Sequence, residues 1–216
     1  MVETTIQNSN SQIHKSTNQI QNLKDINIDE NKRLKTGEAE LDNVLGGGLV
    51  DGMVVLVAGE PGIGKSTLLL QIALKYTSPR PSPKLGEGVP MSIGTGEVLK
   101  GGVLYICGEE SATQVALRAK RLSPQHLAPS TISLLETNDV DEAIAKISEI
   151  KPEVVIVDSI QSLATTDLTG GAGSVGQVRE CASRLTSTIK HLASCLFIVG
   201  QVTKDGNIAG PRVLEH

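Results

Sequence analysis

Aromatic side chains are nearly absent from this sequence, which holds two tyrosines, one phenylalanine and no tryptophan among its 216 residues. Its core must therefore be aliphatic, and nucleic-acid binding through a platform of stacked aromatic rings is disfavoured. An excess of basic residues is also missing, because 20 Lys and Arg stand against 24 Asp and Glu, a net charge of −4. This balance argues against a generally basic DNA-binding surface and leaves local loops as the route to nucleic acid.

Paired cysteines and long apolar runs are absent as well. Cys107, Cys181 and Cys195 form no C-x-x-C pair, so the sequence predicts neither a zinc ribbon nor a redox motif, and zinc is not expected in this chain. Two of the three lie in or beside apolar runs and are predicted to be buried thiols, which fits a reducing compartment. No stretch approaches the roughly 18 apolar residues of a membrane span, and the N-terminus has no signal-peptide core. The predicted location is cytoplasmic.

The chain divides into a polar tail and an alternating α/β region. Residues 1–33 are rich in Asn, Gln, Ser and Lys, a composition that predicts a disordered tail. From residue 34 to residue 216, aliphatic runs alternate with helical segments, which predicts one α/β domain with a mainly parallel sheet and helices on both faces. The predicted buried strands are 53–59, 102–108, 153–159 and 195–201, with a short candidate at 131–136.

Residues 77–101 interrupt this alternation with four prolines and five glycines. A connection between a helix and the next strand usually needs only a handful of residues. The segment is therefore interpreted as an inserted, solvent-exposed loop without a core of its own. A functional lid over a neighbouring site is the alternative.

A glycine-rich motif follows the first predicted strand and opens a helix. The nine residues of the motif GEPGIGKST are Gly59, Glu60, Pro61, Gly62, Ile63, Gly64, Lys65, Ser66 and Thr67. The glycines let successive backbone N–H groups curl around a phosphate, and the helix N-terminus adds partial positive charge. In such a P-loop the lysine reaches the β- and γ-phosphates, and the serine hydroxyl can ligate Mg²⁺. The motif therefore predicts ATP and Mg²⁺ as cofactors.

Polar side chains lie at the ends of three other predicted strands. Asp158 ends the run VVIVD, the arrangement in which a carboxylate supports Mg²⁺ beside a P-loop. Glu109 and Glu110 follow the second strand, at the sheet edge where the P-loop lies, and one of them is predicted to activate the attacking water. The alternative is that both only favour the start of the next helix. Gln201 ends the fourth strand and is predicted to sense the γ-phosphate, with a solvated strand end as the alternative.

Four stretches resemble a known family: GEPGIGKSTLLLQ, YICGEES, VVIVDSIQ, and GSVGQVRECA together with GQVTKDGNIAGPRVLEH. The stretch TGEAELDNVLGGGLVDGMVVLVAG before and within the first strand is similar to the lead-in helix and glycine run of RecA-like ATPase cores. Over residues 34–216, apart from 77–101, the chain resembles the bacterial RadA (Sms) family of RecA-like P-loop ATPases. The resemblance implies a DNA-dependent ATP hydrolase of recombinational DNA repair, which promotes branch migration of recombination intermediates as a homo-hexamer with a recombinase as partner.

The resemblance also implies roles for individual residues. The P-loop would bind ATP, Asp158 would support Mg²⁺, and Glu109 or Glu110 would activate water. Gln201 would couple the nucleotide state to two DNA-contacting loops, at 165–180 and 202–212. The candidate phosphate contacts in these loops are Arg179, Lys204 and Arg212, and a solvated surface charge is the alternative for each of them.

The chain also departs from that family. The family begins with a four-cysteine zinc ribbon and continues past VLEH into further strands, a Lys-Asn-Arg-Phe-Gly motif and a Lon-protease-like domain, none of which this sequence contains. These differences lead to the expectation of an ATPase core truncated at both ends, with its C-terminal strands missing. Two alternatives therefore stand beside the DNA repair ATPase. One is a RecA-fold ATPase that acts on protein partners in a clock or signalling system, and the other is an inactive fragment that at most binds nucleotide.

Overall fold

The computed structural model describes residues 33–76, 102–122 and 132–201. Residues 1–32 of the predicted tail at 1–33 and the whole predicted insertion at 77–101 lie outside the described residues, so the domain division stays a prediction. Five strands and five helices alternate within the described part. They are α1 Ala39–Val44, β1 Val54–Gly59, α2 Lys65–Lys75, β2 Val103–Cys107, α3 Ala112–Leu122, β3 Ile132–Glu136, α4 Val140–Ile150, β4 Val154–Asp158, α5 Val175–Leu192 and β5 Cys195–Gln201. None of these helices is long and apolar enough to cross a bilayer.

The five strands form one sheet in the order β1-β5-β4-β2-β3, and every neighbouring pair is parallel. The register pairs Gly59 with Gln201 at the ends of β1 and β5, and it pairs Cys107 with Asp158 at the ends of β2 and β4. All four residues therefore lie at the carboxyl edge of the sheet, where parallel α/β proteins bind ligands. The prediction of an α/β fold with a parallel sheet is confirmed.

Helices cover both faces of the sheet, because successive residues of each strand point to opposite sides. One face carries Ile106, Val157 and Leu196, which belong to an apolar cluster with residues of α4 and α5. The opposite face carries Tyr105, Ile156 and Phe197, which belong to a second cluster with residues of α2 and α3. Both clusters are largely aliphatic, as the scarcity of aromatic residues requires.

All three cysteines are buried in these clusters, so the prediction of two buried thiols is confirmed and the third thiol is buried as well. Burial raises the pKa of the Cys107 thiol to about 12, and the nearby Asp158 carboxylate adds to the shift. Burial also raises the pKa of Cys181 and of Cys195 to about 11. The thiols are therefore protonated at neutral pH and act as small apolar side chains.

The first strand differs from its prediction as a buried strand. In β1 the side chains are half-buried, and Ala58 is exposed. The physical reason is its place in the sheet, since β1 pairs with β5 on one side and forms an edge of the described sheet. By contrast, β2 is buried along its whole length.

A short lead-in segment precedes β1, as predicted, and contains α1 and a glycine run. Leu34 and Leu49 exchange two backbone hydrogen bonds of 2.9 Å, which close the segment into a loop. Gly48 has a φ of +122°, and a Cβ atom there would lie 2.7 Å from the carbonyl oxygen of Leu34, so only glycine fits. Arg33 donates to the Gly48 carbonyl oxygen at 3.2 Å, which makes it part of the folded region.

Candidate functional site

The predicted P-loop connects the end of β1 to the start of α2. Gly62 and Gly64 have φ angles of +80° and +101°, which L side chains rarely adopt. A Cβ atom at either glycine would meet no atom within 4 Å, so glycine is required here for the backbone conformation and not for space. Among the described residues, no side chain caps the first turn of α2. Its backbone N–H groups and its dipole therefore face the loop, an arrangement suited to an anion.

Lys65 folds back across the P-loop. Its Nζ atom donates to the carbonyl oxygens of Gly59 at 2.8 Å and Glu60 at 2.9 Å. The ammonium group is thus held at the loop by neutral acceptors. A phosphate bound by the loop would be a stronger, charged acceptor for the same group.

Ser66 and Asp158 meet in the structure, although they are 92 residues apart in the sequence. The Ser66 hydroxyl donates to Asp158 Oδ1 at 3.0 Å. This contact exists because β4 ends beside β5, which in turn ends beside β1 and the P-loop. A hydroxyl and a carboxylate at this distance present two oxygen ligands of the kind that Mg²⁺ prefers.

The second oxygen of Asp158 is held by a residue that the sequence analysis missed. Tyr105 of β2 donates its hydroxyl to Asp158 Oδ2 at 2.5 Å, and the tyrosine is 0% exposed. Burial, and after it the Asp158 charge, raises the pKa of Tyr105, so the phenol stays protonated and remains a donor. A signal was present in the sequence, because a tyrosine inside an aliphatic strand carries a hydroxyl that needs a buried partner.

Glu109 and Gln201 also meet, at the tips of β2 and β5. Gln201 Nε2 donates to Glu109 Oε1 at 2.9 Å. The Ser159 hydroxyl donates to the same carboxylate oxygen. Ser159 directly follows Asp158, so the Glu109 carboxylate is tied to the end of the strand that carries the predicted magnesium ligand.

Glu110 points elsewhere. It forms an ion pair with Arg118 on α3, and 45% of its side chain is exposed. The two adjacent glutamates are therefore separated by the structure into one that joins the strand-end cluster and one that pairs with a helix. The sequence left this choice open.

Gly108 allows the tip of β2 to approach β4 closely. A Cβ atom at this position would lie 1.7 Å from Ser162 Oγ, in the 3₁₀ turn Ile160–Ser162 that follows β4. The Gly108 N–H donates to the Asp158 carbonyl oxygen at 3.0 Å. This glycine is therefore needed for space, and its absence of a side chain brings Glu109 next to Ser159.

A cleft of about 480 Å³ adjoins the Glu109–Gln201 contact. One wall is formed by Glu109, Gln201 and the 3₁₀ turn, and the other by residues 171–174 of the loop that follows β4. The predicted catalytic carboxylate thus faces a cavity bounded by the first predicted DNA loop.

The first part of that loop is fixed from beneath by Gln177, which is 1% exposed. Its Oε1 accepts from the Thr165 N–H at 2.8 Å, and its Nε2 donates to the carbonyl oxygens of Thr165, Leu168 and Gly170 at 3.0–3.2 Å. A single buried amide therefore satisfies four backbone groups. The sequence analysis did not single out Gln177, since a glutamine in a helix is usually a surface residue.

Arg184 holds the same loop from the side. Its guanidinium group forms ion pairs of 2.8 Å with Asp141 of α4, Asp167 of the loop and Glu180 of α5, and it also donates to Thr165 Oγ1 at 3.2 Å. Hydrogen bonds to these carboxylates raise its pKa further above its ordinary value. Arg184 is thus engaged in contacts within the protein.

One of the three predicted DNA contacts lies among the described residues. Arg179 is exposed on α5, at the end of the first predicted DNA loop. Lys204 and Arg212 lie outside the described residues. Their role as phosphate contacts stays a prediction.

Sequence comparisons agree with this geometry. A sequence model of the AAA domain family matches residues 17–207. The DNA repair protein RadA of Pseudomonas aeruginosa is 42% identical over 197 residues, which are 91% of this chain and 38% of that protein. RadA of Bacillus subtilis is 44% identical over 191 residues, which are 88% of this chain and 37% of that protein. The predicted resemblance to RadA is confirmed, and the chain spans less than two fifths of the length of these relatives.

Among solved structures, a DnaB-like replicative helicase, described with its interactions with primase, has a similar fold. It aligns with a TM-score of 0.58 over 79% of this chain and 43% of that chain, at 13% sequence identity. At this identity the likeness shows the fold alone. It confirms the predicted RecA-like P-loop architecture.

Proposed function

Since this chain belongs to the AAA domain family, we propose that it is an ATP hydrolase that acts in recombinational DNA repair. The observation that carries the proposal is the arrangement at the carboxyl edge of the sheet. There the P-loop hydroxyl of Ser66 contacts Asp158, and Glu109 contacts Gln201 and Ser159. The link to DNA repair rests on the curated name of the relatives.

The side chains at the P-loop fit a nucleotide with magnesium. The loop exposes N–H groups and an ammonium, and Ser66 and Asp158 supply oxygen ligands 3.0 Å apart. When bound, the ion neutralises charge that develops on the β- and γ-phosphates. Ser66 and Asp158 would hold it, while Lys65 would exchange its backbone acceptors for phosphate oxygens.

We assign the activation of water to Glu109 rather than to Glu110. The described contacts of the Glu109 carboxylate involve Oε1, so Oε2 is the atom that would accept the proton of the attacking water. The donors on Ser159 and Gln201 fix the plane of that carboxylate. Glu110 is engaged with Arg118 on α3.

Gln201 is suited to relay the state of the site to DNA. Its side chain contacts Glu109, and its backbone carbonyl accepts from Gln161 Nε2 at 3.5 Å. It also immediately precedes the second predicted DNA loop at 202–212. A change in the contact between Glu109 and Gln201 would therefore act on that loop, in which Lys204 and Arg212 are the proposed phosphate contacts.

The finer parts of the proposal concern partners. Arg179 and the loop at 165–180 would contact single-stranded or branched DNA, and the intact protein would form a homo-hexamer that works with a recombinase in branch migration. These statements follow from the resemblance to RadA. A second candidate function, an ATPase that acts on protein partners, has no separate support in the structure.

The test is ATP hydrolysis by the purified chain with and without single-stranded DNA. We expect DNA to stimulate hydrolysis, and Glu109→Gln to lower the turnover number about a hundredfold or more. Glu110→Gln is the matched control, because it makes the same chemical change one residue away, and it should keep the rate within about threefold.

Three outcomes contradict parts of the proposal. Equal hydrolysis with and without DNA favours an ATPase with protein partners. Equal losses in the two glutamine variants contradict the choice of Glu109. Absence of both hydrolysis and a nucleotide-induced rise in melting temperature identifies a chain that does not form the site.

A further inference from the structure

Tyr105 and Ser66 hold the two oxygens of the same carboxylate in different ways. Ser66 donates to Asp158 Oδ1 from the first turn of α2 and is half-buried, whereas Tyr105 donates to Asp158 Oδ2 from within the sheet and is 0% exposed. We propose that Tyr105 is a positioning residue of the magnesium site, which orients Asp158 through the oxygen that does not face the P-loop. This inference rests on the proposed function.

The position of Tyr105 makes its hydroxyl a fixed donor. The residue lies in β2, opposite Leu134 of β3 and Ile156 of β4, and its ring belongs to the same apolar cluster as Phe197. A ring enclosed on one face of a central strand has little freedom to swing, and a buried hydroxyl needs a hydrogen-bond partner. Asp158 is that partner, so the tyrosine determines where one carboxylate oxygen lies.

Ser66 cannot perform the same task once the site is loaded. In P-loop proteins the serine hydroxyl is a ligand of the metal ion, and its contact with Asp158 would then be replaced or shared. The Tyr105 contact lies on the other oxygen and is kept, although an ion held by Ser66 and Asp158 would change the charge that the phenol meets. Tyr105 therefore keeps the carboxylate oriented while Ser66 changes its partner.

A purely structural role for the hydroxyl makes a different prediction. If the bond only satisfies a buried phenol, its removal lowers stability and leaves the magnesium requirement unchanged. If the bond orients Asp158, its removal weakens magnesium binding, because groups that orient metal ligands typically contribute about ten- to a hundredfold to metal affinity. Stability and magnesium dependence therefore separate the two roles.

The chain offers a matched control. Its second tyrosine, Tyr76, is 3% exposed and donates its hydroxyl to Glu153 Oε2 at 2.7 Å. Tyr76 follows α2 and so lies at the opposite end of this helix from the P-loop. Tyr76→Phe removes a buried phenol–carboxylate bond of the same chemistry away from the proposed metal site.

The experiment measures binding of a fluorescent ATP analogue to the full chain over a range of Mg²⁺ concentrations, with EDTA as the metal-free reference. For Tyr105→Phe we expect the Mg²⁺ midpoint to rise about tenfold, with unchanged binding in EDTA. For Tyr76→Phe we expect an unchanged midpoint. Thermal unfolding of both variants reports whether they are folded.

An unchanged midpoint in folded Tyr105→Phe, beside Mg²⁺-dependent binding by the unaltered chain, overturns this inference and leaves the proposed function standing. An unaltered chain without Mg²⁺-dependent nucleotide binding overturns both.

If Tyr105→Phe does not fold, the unaltered sequence labelled with 3-fluorotyrosine replaces it. Addition of Mg²⁺ with the analogue should then shift the ¹⁹F resonance of Tyr105 and not that of Tyr76. A Tyr105 resonance that stays in place overturns the inference.

Discussion

The P-loop at 59–64 and the loop after β4 at 165–174 are both rich in glycine, yet they are stabilised in opposite ways. The P-loop takes its shape from positive φ angles at Gly62 and Gly64 in open surroundings, and its carbonyl oxygens hold Lys65. The loop after β4 also contains positive φ angles, at Gly170 and Gly173, but it is held by Gln177, a buried side chain that binds four of its backbone groups. The first design leaves N–H donors available to a ligand. The second uses hydrogen bonds of its backbone groups within the protein.

The largest effect is expected when the lysine of the ligand-binding P-loop is removed. Lys65→Ala should lower ATP hydrolysis about a hundredfold or more, because the group that stabilises phosphate charge is lost. It should abolish the rise in melting temperature that ATP and Mg²⁺ produce, while the melting temperature without nucleotide changes little.

Lys75→Ala is the control for this change, since Lys75 lies at the far end of α2 and pairs with Glu38 at 2.6 Å on the surface. Calorimetry and hydrolysis assays on both variants check the prediction. A ligand-free Lys65→Ala protein that is strongly destabilised would show that the lysine is part of the fold and not reserved for a ligand.

A substitution that removes the support of the loop after β4 should have the opposite effects, lower stability and unchanged nucleotide binding. Gln177→Leu leaves buried carbonyl groups without their donor, which should lower the free energy of unfolding by about 2–4 kcal/mol. Urea denaturation measures this loss, and limited proteolysis should show faster cleavage at residues 165–174. Nucleotide binding by the folded fraction should be unchanged, because the P-loop does not depend on this amide.

Gln114→Leu makes the same substitution on the exposed face of α3, where the amide accepts from the Ser111 N–H at 3.0 Å. It should cost less than about 1 kcal/mol. If both leucine variants lose equal stability, Gln177 does not have the special role that the geometry assigns to it.

The smallest expected effect is the opening of the loop after β4 at acidic pH. Hydrogen bonds from Arg184, and then from Thr165, hold the pKa of Asp141 below its ordinary value. A carboxyl group whose pKa is lower in the folded state stabilises that state above its unfolded pKa, and this contribution is lost as the pH falls through the folded pKa. Below about pH 4 the ion pairs of Arg184 should therefore weaken and the loop after β4 should open.

The protection factors of the backbone amides of residues 165–170 against hydrogen exchange, compared at pH 3 and pH 6, measure this opening. In Arg184→Gln the protection factors of the loop should be lower at both pH values, and most of the difference between pH 3 and pH 6 should be lost. Lys146→Gln, which removes a surface pair with Glu149 on α4, should keep the normal difference. Identical profiles for Arg184→Gln and the unaltered chain would contradict the role of this arginine.

The elements that sequence patterns predicted well are those with local causes. The P-loop sits between β1 and α2 as predicted, because a strand, a glycine-rich turn and a helix are consecutive in the chain. Asp139, a residue type that favours helix N-caps, caps α4, and its side chain accepts from the Asp141 N–H at 2.8 Å. The predicted strand ends lie at one sheet edge, since parallel strands connected by helices must all point the same way.

The burial of β1 and the environment of each glutamate were not predictable in this way. The apolar run of β1 resembles that of a central strand, and only the strand order shows that it forms an edge of the described sheet. Glu109 and Glu110 are chemically identical neighbours, and their difference comes from Ser159 and Arg118, which belong to other segments.

The sequence by itself determined the chemistry that this protein can offer, namely a phosphate loop with its lysine and serine, a strand-end aspartate and two candidate carboxylates. The tertiary structure decided which of these groups act together. It placed Tyr105 beneath Asp158, Gln177 beneath the loop after β4, and Glu109 rather than Glu110 beside Gln201. The physical reason is separation along the sequence. Local patterns report dihedral preferences and burial, whereas contacts between distant segments depend on strand order and register.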